Sequence, residues 1–323
     1  MKAIVLTETG RLAMREVPTP EPGRGEVRVR TAACGICATD LEMIDGNPRV
    51  RPPAILGHEW AGTVDAVGPG ADVGLVGRAC VAENVLSDGG EVGFEHPGGY
   101  GEYLLTEAAN VHVLPADLPA SVAALIEPLA VGVRAMRRLA MTDTASALVF
   151  GDGPIGLLTL ALLRRAGVSS VLLVGGRPGR LRLALVLGAA GIINYHAASD
   201  LVGAIEGGQA RRFPNVVEAS GSAAAMEAAL RVASRGGRVL VVGDYGDARA
   251  EFPWNRILHG ELTLVGSNAS AGAWPEAVAL AGDRDFPLPC LVSARFPAAR
   301  FADAVDLARS RRDDVVKVVL EWT

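Results

Sequence analysis

Apolar and polar residues alternate through the first third of the chain. Glu26–Thr31 sets Val27 and Val29 against Arg28 and Arg30, a period of two that predicts a strand with one wet face. Ala61–Val67 has a second strand pattern and closes on Gly68-Pro-Gly. Turn residues recur about every ten positions through Asp117, so this part is predicted to be a compact β-rich domain with no helical segment before Ala120. The pattern then changes. Short aliphatic runs at Ala145–Phe150, Val171–Val174, Ile192–Asn194, Val216–Ala219, Arg238–Val242 and Leu262–Val265 read as buried strands. Helix-like segments lie between several of them: one ending near Gly167, one rich in Leu and Ala up to Gly188, and Ala223–Ala233. Such an order predicts an α/β fold, a doubly wound parallel sheet covered on both faces. The tail reads as a helix near Ala298–Arg309 and a strand at Val315–Glu321.

Composition narrows the class. The 323 residues make about two domains at roughly 150 residues each. Half are hydrophobic but only 5% are aromatic, so the cores must be aliphatic. The best apolar run, Ile155–Leu163, is nine residues with Gly156 inside it and is stopped by Arg164. That is far short of the ~18 residues of a membrane span. The N-terminus soon meets Glu8 and Arg11 and does not read as a signal peptide. Four cysteines do not make a disulfide framework, so a reducing, cytoplasmic location is expected. A net charge of −5 with no basic arm argues against nucleic acid as partner. Lys2 and Lys317 are the only lysines, which reads as codon usage rather than as a binding patch.

The segment after Phe150 carries the first chemistry. Gly151-Asp-Gly-Pro-Ile-Gly156 fits G-x-G-x-x-G, follows a predicted strand and opens a predicted helix. A plain strand-to-helix turn could share these glycines, but the context is the one dinucleotide binding needs. Gly151 allows the tight turn, Gly153 lets a pyrophosphate approach the backbone, and Gly156 lets the helix pack on the strand. With Ile155 they are the candidate phosphate-side contacts. An NAD site usually carries an acid about 20 residues further on. Here Gly175 takes that place, followed by Gly176 and Arg177. A missing carboxylate and a nearby guanidinium favour NADP, with NAD possible. A solvated arginine at a helix start would look the same in sequence.

Three segments hold candidate metal ligands: Cys34-Gly-Ile-Cys-Ala-Thr-Asp40, Gly57-His-Glu59 and Ile126-Glu-Pro-Leu-Ala130. Zinc accepts thiolate, imidazole and carboxylate, and a catalytic site uses three protein ligands and leaves a position open. Each segment alone is weak. Together with the glycine turn and in this order, they resemble the zinc-containing medium-chain alcohol dehydrogenase family, in its polyol (sorbitol and threonine dehydrogenase-like) branch. The resemblance covers nearly the whole chain. It implies a chaperonin-10-like, β-rich catalytic domain over 1–126 and 270–323, with a Rossmann domain over 127–269. It implies that Cys37, His58 and Glu127 bind one catalytic zinc, that Glu59 is a neighbouring or alternate ligand, and that Asp40 orients His58. Thr39 would take the proton of a secondary alcohol or polyol and pass it outward, with Glu42 standing where many relatives have a relay histidine. Hydride would pass to the nicotinamide in a cleft between the domains. The spacing from Gly175-Gly176-Arg177 to Asn194-Tyr195 resembles NADP-dependent secondary alcohol dehydrogenases, which adds Tyr195 to the cofactor contacts. A small alcohol or ketone is the implied partner, no membrane is, and a homo-oligomer is expected.

The chain departs from that family in two places: at Glu42, which could end the relay or merely bind a ribose hydroxyl, and in a missing lobe. Most zinc-bearing members carry a lobe of four closely spaced cysteines for a structural zinc, whereas Cys80–Tyr100 is short and holds only Cys80. One zinc is therefore expected. Two rival readings remain at this stage: a zinc-free quinone-reductase-like enzyme of the same fold, and a non-catalytic NADP-binding sensor. Trp60 and Tyr100 could line a pocket or merely pack, and Arg180 could help bind phosphate or face water.

Overall fold

The structure, a computed structural model, describes residues 1–207, 211–310 and 312–322. The chain divides into two compact units, Met1–Pro128 with Trp274–Thr323, and Leu129–Ala273.

The first unit opens with a hairpin, β1 (Lys2–Glu8) and β2 (Arg11–Glu16). β3 (Glu26–Ile36) follows, and its alternation buries Val27, Val29 and Thr31. A helix, α1 (Ala38–Ile44), comes next, contrary to the expectation of none before Ala120. At seven residues it is too short to display a helical period. It is set instead by its start, where the Cys37 N–H donates to Asp40 Oδ2 at 2.8 Å. After it come β4 (Glu59–Val67), β5 (Ala79–Ala82), β6 (Tyr103–Glu107), β7 (Val111–Val113), α2 (Ala120–Ala123) and the start of α3 (Ile126–Leu139).

The second unit alternates strand and helix. β8 (Ser146–Phe150), α4 (Pro154–Arg165), β9 (Ser170–Gly175), α5 (Pro178–Val186) and β10 (Gly191–Asn194) form its first half. α6 (Leu201–Glu206), β11 (Phe213–Glu218), α7 (Ala223–Val232), β12 (Ala233–Val241), α8 (Asn255–Gly260) and β13 (Thr263–Gly266) complete it. The strands form one parallel sheet in the order β10-β9-β8-β11-β12-β13. The order reverses between β8 and β11, where a doubly wound sheet leaves a crevice for a ligand beyond the strand ends. Its core is aliphatic, with Leu148, Leu172, Val216, Leu230 and Val239 all buried.

The tail returns to the first unit as α9 (Trp274–Ala281), β14 (Val292–Pro297), α10 (Phe301–Arg309) and β15 (Lys317–Glu321). β15 pairs antiparallel with β3 and completes the sheet β14-β15-β3-β4-β5-β7, with β6 also on β3. In this register Gly35 faces Glu59 of β4 on one side and Val319 of β15 on the other. The first and last thirds of the sequence therefore meet beside the Cys34–Cys37 segment. Trp60 and Tyr100 pack in this unit's core, at 2% and 0% exposure.

Candidate active site

In the first unit, Cys37 stands at the N-terminus of α1, His58 immediately precedes β4 and Glu59 begins it. Ligand atoms of Cys37, His58 and Glu59 all lie within 4.8 Å of one another. Gly35 makes this possible, because a Cβ there would overlap the Glu59 carboxylate. Asp40 Oδ1 lies 3.4 Å from His58 Nδ1, so its charge sits beside that ring nitrogen. Burial disfavours a charged His58, but Asp40 and the Cys37 sulfur outweigh it and hold the imidazole's pKa well above its usual value. The backbone of His58 is pinned as well, since Asn84 Nδ2 donates to its carbonyl at 2.8 Å.

Thr39 Oγ1 lies 3.7 Å from Cys37 Sγ, so its hydroxyl borders the ligand cluster. Glu42 is on the same helix but exposed. Glu127 lies in the first turn of α3, outside the compact trio yet close enough to feel its charges. Burial pushes its carboxyl up to about 7, with Glu59 and Glu91 acting in the same direction and His58 and Lys317 opposing.

Two supports for this cluster were not legible in the sequence. Lys317, read there as codon usage, is 3% exposed and donates from Nζ to Glu59 Oε1 at 2.6 Å. Its rarity in a chain whose cations are otherwise arginine, apart from Lys2, was the available signal. The second support comes from the shortened Cys80–Tyr100 segment. Phe94 stacks on the His58 ring with centroids 4.7 Å apart, and the Arg49 guanidinium lies 3.9 Å from the Phe94 ring centre. Glu91 and Glu95 hold Arg49 at 3.0 and 2.9 Å. Of the other histidines, His96 pairs with Asp88 and His112 with Glu83, and neither joins the trio.

In the second unit the glycine turn has the shape its pattern calls for. Gly151 adopts φ +111°, and a Cβ on it would press on the Ala219 carbonyl. A Cβ on Gly156 would overlap the Gly151 carbonyl, so helix and strand pack as closely as glycine allows. Gly153 caps α4 and has open space on its Cβ side, next to the N-terminal end of that helix. Ile155 lies in the first turn of that helix. At the end of β9, Gly175 and Gly176 lead into Arg177, which pairs with Asp152 at 3.1 Å. Tyr195 packs so close to Gly176 that a Cβ there would sit 2.6 Å from its hydroxyl. Arg180 does not face water: it is buried, with Nη1 3.4 Å from the Asp152 carbonyl.

The carboxyl ends of β12 and β13 border an open pocket of about 590 Å³, lined by Arg134, Arg138, Gly243, Tyr245, Ser267 and Asn268 among others. Glu218 holds the loops around it, accepting from Tyr245 Oη at 2.5 Å, from the N–H groups of Ser220 and Gly221, and from the Ser220 hydroxyl.

Comparisons with known proteins agree with this anatomy. Residues 23–116 match the alcohol dehydrogenase GroES-like domain, and residues 154–283 match the zinc-binding dehydrogenase family. The chain is 30% identical to L-threonine 3-dehydrogenase of Anaeromyxobacter dehalogenans, over 100% of this chain and 99% of that protein. The crystal structure of an alcohol dehydrogenase, RspB, from Escherichia coli CFT073 complexed with NADH superposes with a TM-score of 0.93 at 25% identity, covering 99% of both chains. A zinc-binding dehydrogenase from Sinorhizobium meliloti bound to NADP superposes equally well, at 27% identity over 99% of this chain and 98% of that one. Among the described residues, no helix is long and apolar enough to cross a membrane.

Proposed function

Because the chain belongs to the zinc-type medium-chain alcohol and polyol dehydrogenase family, we propose that it transfers hydride between a secondary alcohol or polyol and NADP(H), with one zinc at the Cys37–His58 cluster. It is an oxidoreductase acting on alcohols. The observation that carries the finer reading is the convergence of a thiol, an imidazole and the Glu59 carboxylate beside the Thr39 hydroxyl. Thiolate, imidazole and carboxylate are the donors zinc prefers. Cys37, His58 and Glu127 would hold the metal, with Glu59 as the alternate carboxylate. A zinc bound there supplies Lewis-acid polarisation of the substrate oxygen.

The chain's own residues do the rest. Asp40, 3.4 Å from His58 Nδ1, would orient the imidazole to bind the metal through its other ring nitrogen. Thr39 holds the substrate hydroxyl and takes its proton. Glu42, exposed on the same helix, receives protons at the solvent end. The glycine turn seats the pyrophosphate, and the pocket beyond β12 and β13 gives room to the nicotinamide end. NADP is the favoured dinucleotide, with NAD accepted, on the strength of Gly175, Arg177 and Tyr195. The chain works as a homo-oligomer. β13 is an edge strand, and Leu264 on it and Trp254 and Leu258 beside it are exposed apolar side chains that association would cover.

The direct test is a screen of ketones and polyols with both dinucleotides on protein of measured zinc content. Zinc-dependent oxidation of NADPH by a ketone is expected. A protein that turns over quinones without zinc, or binds NADPH and turns over nothing, would contradict the proposal.

A further inference from the structure

The end of β9 lacks the acid that usually selects NAD, yet the space is not empty. Asp152, from inside the glycine turn, fills it. A Cβ on Gly175 would lie 2.6 Å from Asp152 Cβ and 2.7 Å from its Oδ2. The carboxylate is well engaged: Oδ2 accepts the N–H groups of Gly176 and Arg177 at 2.9 and 2.8 Å, and Oδ1 accepts Arg177 Nη1 at 3.1 Å. Its side chain is 8% exposed, against 30% for Arg177. The cation that would recognise a 2′-phosphate is thus already paired with a carboxylate supplied by the neighbouring turn.

We infer that Asp152 is a specificity-determining residue that restrains the preference for the phosphorylated dinucleotide, by holding Arg177 to itself and placing negative charge at the position of the missing strand-end acid. The inference rests on the dinucleotide reading above. A phosphate monoester brings roughly −1.5 to −2 charges at neutral pH, so it must share Arg177 with Asp152 and tolerate the carboxylate beside it. A ribose bearing only hydroxyls meets neither cost. The same geometry makes Gly175→Asp a poor route to an NAD enzyme, because a side chain there collides with Asp152.

Equilibrium binding of 2′,5′-ADP and 5′-AMP tests this without turnover, since the pair differs only in the 2′-phosphate. Asp152→Asn keeps the shape and an acceptor oxygen while removing the charge. It should tighten 2′,5′-ADP relative to 5′-AMP by about tenfold, the order of one charge-assisted hydrogen bond. Asp152→Ser, a smaller neutral acceptor, should move the ratio the same way and serves if the amide disturbs the turn. An unchanged ratio with both nucleotides weakened alike would reduce Asp152 to a structural clamp and overturn the inference. A larger loss for 2′,5′-ADP would overturn it too, showing that Asp152 presents Arg177 to the phosphate. Wild-type protein that binds neither nucleotide would instead overturn the dinucleotide reading itself, and the inference with it.

Discussion

Lys317 Nζ lies 2.6 Å from Glu59 Oε1, with both side chains almost wholly buried beside the proposed metal site. Burial alone would favour a neutral amine, but Glu59, with help from Cys37 and Glu127, outweighs it and holds the lysine pKa above its usual value. Removing one member of such a pair strands the other charge in the interior, which costs about 3–5 kcal/mol. Lys317→Met should therefore lower stability by that order in denaturant titration. A loss near zero would mean that water reaches Glu59 once the lysine is gone.

The sign of the pH dependence follows from the direction of that shift. A raised lysine pKa adds stability that is fully present below the unfolded value of ~10.4 and is lost only as pH rises through the higher folded value. The stability gap between wild type and Lys317→Met should not close from neutrality to about pH 10, and it widens with pH wherever the stranded Glu59 ionises. A gap that closes between pH 7 and 9 would contradict the pairing.

Thr39 is placed to handle the proton. General acid–base transfer typically contributes ~10²–10⁴-fold. Thr39→Val should lose rate by that order while zinc content and NADPH binding persist. Glu42→Gln should be milder, because the exposed end of the helix lets water replace it. Near-normal turnover of Thr39→Val would place the proton path elsewhere.

The Phe94–Arg49 stack is the local support of the His58 ring. A cation over an aromatic face is worth about 0.5–2 kcal/mol, so Arg49→Ala should cost stability on that scale and loosen metal retention in a chelator competition. Unchanged retention would separate the stack from the site.

The parts set by local pattern were readable from the chain. β3 and β4 showed their alternation, the six parallel strands their aliphatic runs, and the glycine turn its spacing. Cys37, His58 and Asp40 do come together as their motifs implied. What escaped depends on contacts distant in sequence or on elements too short to show a period. Helix α1 is fixed by the Asp40 carboxylate rather than by an apolar stripe. Lys317 reaches Glu59 only because β15 returns to pair with β3. Arg177 read as a free cation because its partner, Asp152, lies 25 residues earlier.

If the proposed chemistry is right, hydride transfer here depends on one zinc held at the Cys37–His58 cluster. Zinc content and NADPH-dependent ketone reduction, followed on one sample through chelation and reconstitution and alongside Cys37→Ala, test it most directly. One zinc per chain is expected, with activity that leaves and returns with it and a Cys37→Ala protein without metal or turnover. Two tightly held zincs, or full activity in a zinc-free sample, would contradict it.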